Sequence, residues 1–210
     1  FPYQVVSETR ISDANGVFSD ALTAAGLSSS IFVNDDDTIN VDPEGISISY
    51  KGGFWMAHEG AGTFDDPERP IESPNVLFKL SQTGVIEKVV LLPAELNAVQ
   101  LRFGFEGVAE DGDYVVVAFQ RAWNGETNTR LGIYNQETEE WKFVFYPLDA
   151  VESQNGGWVG LSDISAIGAG NFLVLERDNQ GTFVVLCFSH GNFMEASQCI
   201  FTHILTCIFV

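Results

Sequence analysis

The chain has 210 residues, of which 45% are hydrophobic and 19% are charged. This length and composition predict a folded domain with a sizeable core and exclude bulk disorder. Asp and Glu number 29 against 10 Lys and Arg, for a formal net charge of −19, which excludes nucleic acid as an expected partner and disfavours anionic membrane surfaces.

The first 40 residues predict the end of a sheet that precedes the main body of the chain. Residues 30–33 and 38–41 are expected to form strands on either side of the polar turn at 34–37. Residues 19–25 form the single stretch with a weak helical pattern.

From residue 42 onward the pattern is strand nearly everywhere. Short runs rich in Val, Ile, Phe and Tyr are bounded by Gly, Asn and Asp, which is typical of strands joined by tight turns. The clearest predicted strands are 45–50, 54–58, 76–80, 85–92, 114–119, 131–134, 141–146, 172–175 and 183–188. Short strands at regular spacing predict an all-β sandwich, barrel or propeller.

An internal repeat favours the propeller. Three segments align, with an acid at the same place in each: Glu44, Glu106 and Asp163, which are 62 and 57 residues apart. The first two repeats each continue with two more strands, and four strands per repeat is the pattern of a propeller blade. We therefore predict three to four blades over residues 1–182, with an antiparallel sandwich as the alternative. Because closed propellers have about 4–8 blades, the ring is expected to be incomplete.

Residues 183–210 differ from the body of the chain. They contain all three cysteines, one acid and no Lys or Arg. Two interpretations are open: an aberrant or truncated end, or a buried pair of closing strands. The apolar run at 199–210 is shorter than the roughly 20 residues of a membrane-spanning helix, so no membrane span is expected.

The repeated acids predict a metal site. The first strand of each propeller blade lines the central channel, so acids at equivalent points of that strand would converge. The second strand ends in a further acid in the first and third repeats, whereas the middle repeat has Gln120 there. The predicted metal ligands are Glu44, Glu59, Glu106, Asp163 and Glu176. Converging carboxylates repel one another, and oxygen ligands of this kind favour Ca²⁺. The alternative is that these acids cap strands or accept hydrogen bonds from backbone amides.

Other side chains near these acids could take part in chemistry. His58 and Glu59 are candidates for a general acid or base, although a single His is also a common structural residue. Arg121 and Arg177 stand beside the acids and could bind an anionic substrate group. Trp123 and Trp158 are either packing residues or ligand-facing ones. The chain has no Gly-x-Ser-x-Gly motif, so a serine mechanism of the α/β-hydrolase type is not supported.

Several of these segments resemble the bacterial family known as esterase-like activity of phytase. The resemblance rests on the stretches 44–47, 53–59, 104–109, 159–164 and 172–178, and it extends from about residue 42 to residue 178. It implies a secreted or periplasmic β-propeller related to the calcium-dependent β-propeller phytases. By that similarity Glu44 and Glu59 occupy positions of calcium-coordinating acids, and Glu106 repeats the first of them. Gln120 departs from the pattern and argues against a full second metal site.

Two functions are consistent with these features. The first is a calcium-dependent hydrolase in which the ion polarises a small phosphate ester or other ester and activates water. The second is a non-catalytic β-propeller, stabilised by calcium, that binds ligands or partners on one face. In either case we expect a monomer that acts on, or binds, a small anionic or ester molecule.

Overall fold

A computed structural model describes residues 5, 7–123, 125–151 and 154–180, together with the backbone of 184–189. Three antiparallel sheets dominate it, so the all-β prediction is confirmed. The described residues do not close a ring, and the propeller therefore stays a prediction.

Each sheet is built from strands that are consecutive in the chain. The first contains β1 (Pro43–Ile48), β2 (Phe54–His58), β3 (Val76–Leu80) and β4 (Ile86–Leu91). The second contains β5 (Phe105–Asp111), β6 (Tyr114–Phe119), β7 (Thr129–Asn135) and β8 (Trp141–Tyr146). The third contains β9 (Val159–Gly168), β10 (Asn171–Asp178) and β11 (Val184–Ser189), with β10 in the centre.

The first strands of the three sheets lie side by side. β5 contacts both β1 and β9, although among the described residues its only ladder partner is β6. Two glycines permit this approach: a Cβ on Gly45 would lie 2.8 Å from the Gly107 Cα, and a Cβ on Gly107 would lie 2.8 Å from the Asp163 Cα. Backbone thus packs on backbone along this line, and the spacing of the three strands is fixed.

The core lies between the sheets. Trp55 and Leu77 of the first sheet pack with Val117 and Phe119 of the second. A second cluster joins the second sheet to the third, and its members include Val116, Leu131, Leu161 and Phe172. Since these side chains are nearly fully buried, replacing a large aromatic there with Ala would cost about 3–5 kcal/mol.

The N-terminal segment corrects one prediction. Residues 30–33 do not form a strand, because Ser29–Ile31 is a 3₁₀ turn whose N-cap Ser28 accepts a hydrogen bond from the Ser30 amide. The expected strand pair is reduced to a single bridge between Val33 and Ile39. Helix α1 (Val17–Ala24), close to the predicted 19–25, instead packs Phe18 against the first sheet.

The remaining elements are few. A short helix, α2 (Ala94–Asn97), follows the first sheet. No helix among the described residues is both long and apolar enough to cross a membrane. Residues 190–210, most of the predicted atypical tail, lie outside the described residues, and the proposed boundary at 182/183 stays a prediction.

Candidate functional site

A bulge near the start of each innermost strand sets the position of one side chain. The pairing of β1 with β2 skips Glu44, the pairing of β5 with β6 skips Glu106, and the pairing of β9 with β10 skips Ser162. A bulged residue leaves the ladder and its side chain is re-aimed. Glu44, Glu106 and Ser162 are therefore equivalent positions in the three sheets.

This register corrects the sequence alignment in the third repeat by one residue. Asp163, which was aligned with Glu44 and Glu106, lies one position past the bulge. Its side chain is exposed, and its Oδ1 accepts a hydrogen bond of 2.8 Å from the Ile164 amide. The equivalent of the two glutamates is Ser162, so the third sheet contributes a hydroxyl rather than a carboxylate.

The second strand of each sheet supplies a partner for the bulged residue. Glu59, Gln120 and Arg177 each stand opposite the residue that lies two positions before the bulge. The predicted Glu176 is not in this set. It is buried, and its carboxylate accepts hydrogen bonds from the Tyr146 hydroxyl and from the Asp149 amide.

Each sheet therefore presents a pair of side chains, and the three pairs differ chemically. In the first sheet, carboxylate oxygens of Glu44 and Glu59 lie within 4.8 Å of each other and of one from Asp42. In the second, the Gln120 Nε2 donates a hydrogen bond to the Glu106 Oε1. The third sheet pairs a guanidinium with a hydroxyl, because the Nε of its arginine donates to its serine Oγ at 2.8 Å.

The charges of these pairs influence the pKa values of one another's carboxyl groups. Glu106 is 5% exposed, and its burial, followed by the charges of Glu44 and Glu59, raises its pKa to about 8, while Arg177 opposes the shift. Burial also raises the pKa of Glu44, and the neighbouring Asp42 and Glu59 add to that effect.

Glu59 also links the first sheet to the second. Burial raises its pKa, while a 2.8 Å hydrogen bond from the Gly104 amide to its Oε1 acts in the opposite direction. Its carboxylate is therefore held in place by main chain from the second sheet. Among these acids, Glu106 is buried, Glu59 is half-buried, and Asp42 and Glu44 are exposed.

The donor set suits a hard cation. Besides the three clustered carboxylates, the Gln120 Oε1 is buried and has no hydrogen-bond partner within the described part of the chain. Carboxylate and amide oxygens are the ligands that Ca²⁺ takes in proteins. A cation here would offset the repulsion that raises the pKa of Glu44 and Glu106.

His58 faces away from solvent. It is 3% exposed, and its Nδ1 lies 2.9 Å from the Asp42 amide nitrogen, from which it can accept a hydrogen bond. Burial lowers its pKa and favours the neutral ring. The ring therefore holds the backbone of Asp42, an acid next to the bulge that the sequence analysis did not single out.

Arginine and aromatic side chains meet at Phe103, the residue before the Gly104 amide that binds Glu59. The Arg121 guanidinium carbon lies 5.1 Å from the centroid of the Phe103 ring and 4.6 Å from that of Trp158. Arg102 lies 4.4 Å from the Phe103 ring. Arg121 was predicted from the sequence, which left the role of Trp158 open. Arg102 and Phe103 were not predicted, because they precede the Gly104 motif and do not recur in the internal repeat.

Comparison with known proteins gives one result. A family model described as "Phytase-like: Esterase-like activity of phytase" matches residues 4–199. No curated protein and no solved structure matches the chain. The matched range covers all three bulges and the arginine and aromatic residues beside them.

Proposed function

The chain belongs to the family described as esterase-like activity of phytase, and from this membership we propose that it is a hydrolase of small phosphate esters or other esters. Its site would be the acid cluster at the bulges, with Ca²⁺ held there. The observation that carries the proposal is that oxygens of Asp42, Glu44 and Glu59 lie within 4.8 Å of one another, beside the buried Glu106.

The proposed ligands are Glu44, Glu59 and Glu106 from the predicted set, joined by Asp42. Asp163 and Glu176 are left out because neither lies at a bulge or its partner position, and both accept hydrogen bonds from other groups. A bound calcium ion would supply positive charge that polarises a phosphoryl or acyl oxygen. The protein's own contribution is to fix these carboxylates through the two bulges and the Gly104 amide.

Glu59, besides binding the ion, would also act on the substrate, together with residues that do not bind the ion. Glu59 is partly exposed and remains the candidate general base, since such a group must come within hydrogen-bond reach of a proton. His58 is a positioning residue for Asp42, because its ring is buried. Arg177 has its Nε on Ser162 and forms no ion pair among the described residues, so its outer nitrogens could hold an anionic substrate group.

The three sheets would be blades of a larger ring. The first sheet has exposed apolar side chains on its innermost strand: Ile46 is 65% exposed and Ile48 is 80% exposed. Equivalent faces are covered where one sheet packs on the next. The strong negative charge, with the family resemblance, leads us to place the protein in a secreted or periplasmic setting.

The test is the response of the melting temperature to calcium. The purified protein should melt at a lower temperature in chelator, and Ca²⁺ should raise its melting temperature more than Mg²⁺ does, because flexible sites of many oxygens suit the larger ion. Glu44→Gln combined with Glu106→Gln should remove most of that rise and also any phosphatase or esterase turnover. The control is Glu137→Gln, which removes an exposed acid from the turn between β7 and β8. An unchanged calcium response in the double variant would refute this site.

A non-catalytic binding module is the second candidate. The burial of His58 favours it, since one of the two predicted acid–base residues does not reach solvent. A calcium response without turnover on phosphate or carboxylate esters would support this candidate over the hydrolase.

A further inference from the structure

Arg121 has an unusual environment at the rim of the site. Its guanidinium lies against the rings of Phe103 and Trp158, which themselves meet nearly edge to face with centroids 5.3 Å apart. Trp158 is held in turn by Asn179, through a 2.9 Å hydrogen bond from the Trp158 amide to the Asn179 side chain and one of 3.0 Å back from the Asn179 amide. Contacts to ring faces leave the N–H edge of a guanidinium available for hydrogen bonds.

The same chain contains a second arginine in such a stack, and that one has an acidic partner. Arg130 lies 5.7 Å from the Phe143 ring and 5.3 Å from the Phe145 ring. Its Nε donates to the Glu126 Oε2 at 3.0 Å, and its Nη2 donates to the Oε1, so the pair is bidentate. At Arg130, stacking on two rings is thus combined with a contact to both oxygens of one carboxylate.

Arg121 forms no ion pair with any acid in the described part of the chain, and neither does Arg102. Five of the ten Lys and Arg side chains form no ion pair among the described residues, and Arg121 and Arg102 are the two of these that lie over an aromatic ring. Both guanidiniums contact the ring of Phe103, and neither positive charge is offset there by an ion pair with a described acid. A ligand oxyanion would complete for Arg121 the arrangement that Glu126 completes for Arg130.

The backbone connects this stack to the acid cluster. Phe103 has a φ of 75°, a region that bulky residues avoid and that costs about 1–3 kcal/mol. Its carbonyl accepts a hydrogen bond from the Trp123 Nε1, and the amide of the next residue, Gly104, binds Glu59. Strain of this kind is concentrated at ligand sites. Here it places an aromatic ring in contact with two arginines, one residue before the amide that binds the Glu59 carboxylate.

We propose that Arg121, which contacts the Phe103 ring together with Arg102, forms an oxyanion-binding site that takes a phosphate or carboxylate group in bidentate fashion. The two groups share the chemistry of adjacent, negatively charged oxygens, which the planar guanidinium matches. The assignment of this anion to the substrate rests on the proposed function, whereas anion binding itself does not.

Titration of the purified protein in chelator, at a fixed NaCl concentration, tests the site. Inorganic phosphate and acetate are added separately, and binding is followed by calorimetry and by the indole NMR signals of the tryptophans. We expect one of the two anions to bind and to shift a signal that is lost in Trp158→Leu. Arg121→Gln should weaken binding at least tenfold, and Arg121→Lys, which keeps the charge without the fork, should weaken it less. Lys142→Gln removes an exposed charge on β8 and should leave binding unchanged.

Each outcome decides the proposal. Tighter binding of phosphate identifies a phosphate ester as the ligand class, and tighter binding of acetate identifies a carboxylate. Equal affinity in Arg121→Gln and Lys142→Gln, or no binding of either anion, would overturn the site. Because the titration contains no calcium, its failure is distinct from a failure of the calcium response of Glu44→Gln with Glu106→Gln.

Discussion

The first and third sheets carry opposite charges at equivalent backbone positions. At the bulge and its partner position, the first sheet has two carboxylates, Glu44 and Glu59, whereas the third has Ser162 and Arg177. The second sheet is intermediate, with Glu106 and a neutral amide. The row of three adjacent innermost strands therefore attracts cations at the first sheet and anions at the third. An ester with a negative group could contact both ends, which neither sheet offers alone.

Replacing Glu106, the acid of the second sheet, is expected to have the largest effect on the electrostatic contrast between the sheets. With chelator present, the pKa of Glu106 is about 8 in the folded protein and near its ordinary 4.5 when unfolded. Its contribution to stability is full below pH 4.5 and is lost as the pH rises through 8. The slope is at most about 1.4 kcal/mol per pH unit. Glu106→Gln should flatten the unfolding free energy between these pH values, measured by denaturant titration. An equal slope in Glu106→Gln and the Glu137→Gln control would contradict the buried charge.

A smaller change, a loss of unfolding free energy, is expected when the spacing of the innermost strands is disturbed. A Cβ on Gly107 would lie 2.7 Å from the Ile164 amide nitrogen, and backbone cannot move away as a flexible side chain can. Gly107→Ala should therefore cost about 1–3 kcal/mol of unfolding free energy, seen as a lower melting temperature.

The matched control for Gly107→Ala is Gly112→Asn. Gly112 has open space around it and a φ of 60°, which Asn tolerates. If the two variants melt at the same temperature, the close approach of β5 and β9 is not required for stability.

The smallest effect is expected from a variant that tests the strand register of the third sheet. Asp163→Asn should change the unfolding free energy by less than about 0.5 kcal/mol and leave the rise in melting temperature with calcium intact, because the side chain is exposed and lies past the bulge. Glu44→Gln, at the bulge of the first sheet, should reduce that rise. A calcium response lost in Asp163→Asn would restore the alignment that the sequence alone favours.

Much of the fold could be predicted because strand patterns are local. Strands β2, β3, β6 and β8 have the predicted limits, and the turn at Gly112 lies where the sequence placed it. The segment at residues 30–33 failed for an equally local reason: Ser28 caps a 3₁₀ turn, a preference that competes with the strand propensity of Ile31 and Val33.

The site was less accessible to sequence reasoning, because its positions depend on register. In the stretch from Leu161 to Ile164, either Ser162 or Asp163 could be the bulged residue, and the acid was the natural choice. Hydrogen bonds between strands decide the matter, and they leave no periodic trace in the sequence. The burial of His58 and the stack on Phe103 likewise depend on contacts between segments far apart in the chain.

A bulged residue has no partner directly opposite it in the ladder, so its side chain is not constrained by a cross-strand pair. Glu44, Glu106 and Ser162 are three occupants of such a position within one chain. Substitution at these points changes the charge that the three innermost strands present, while the glycine-spaced strands behind them stay unchanged. Descendants of such a scaffold could therefore diverge in specificity well before they diverge in shape.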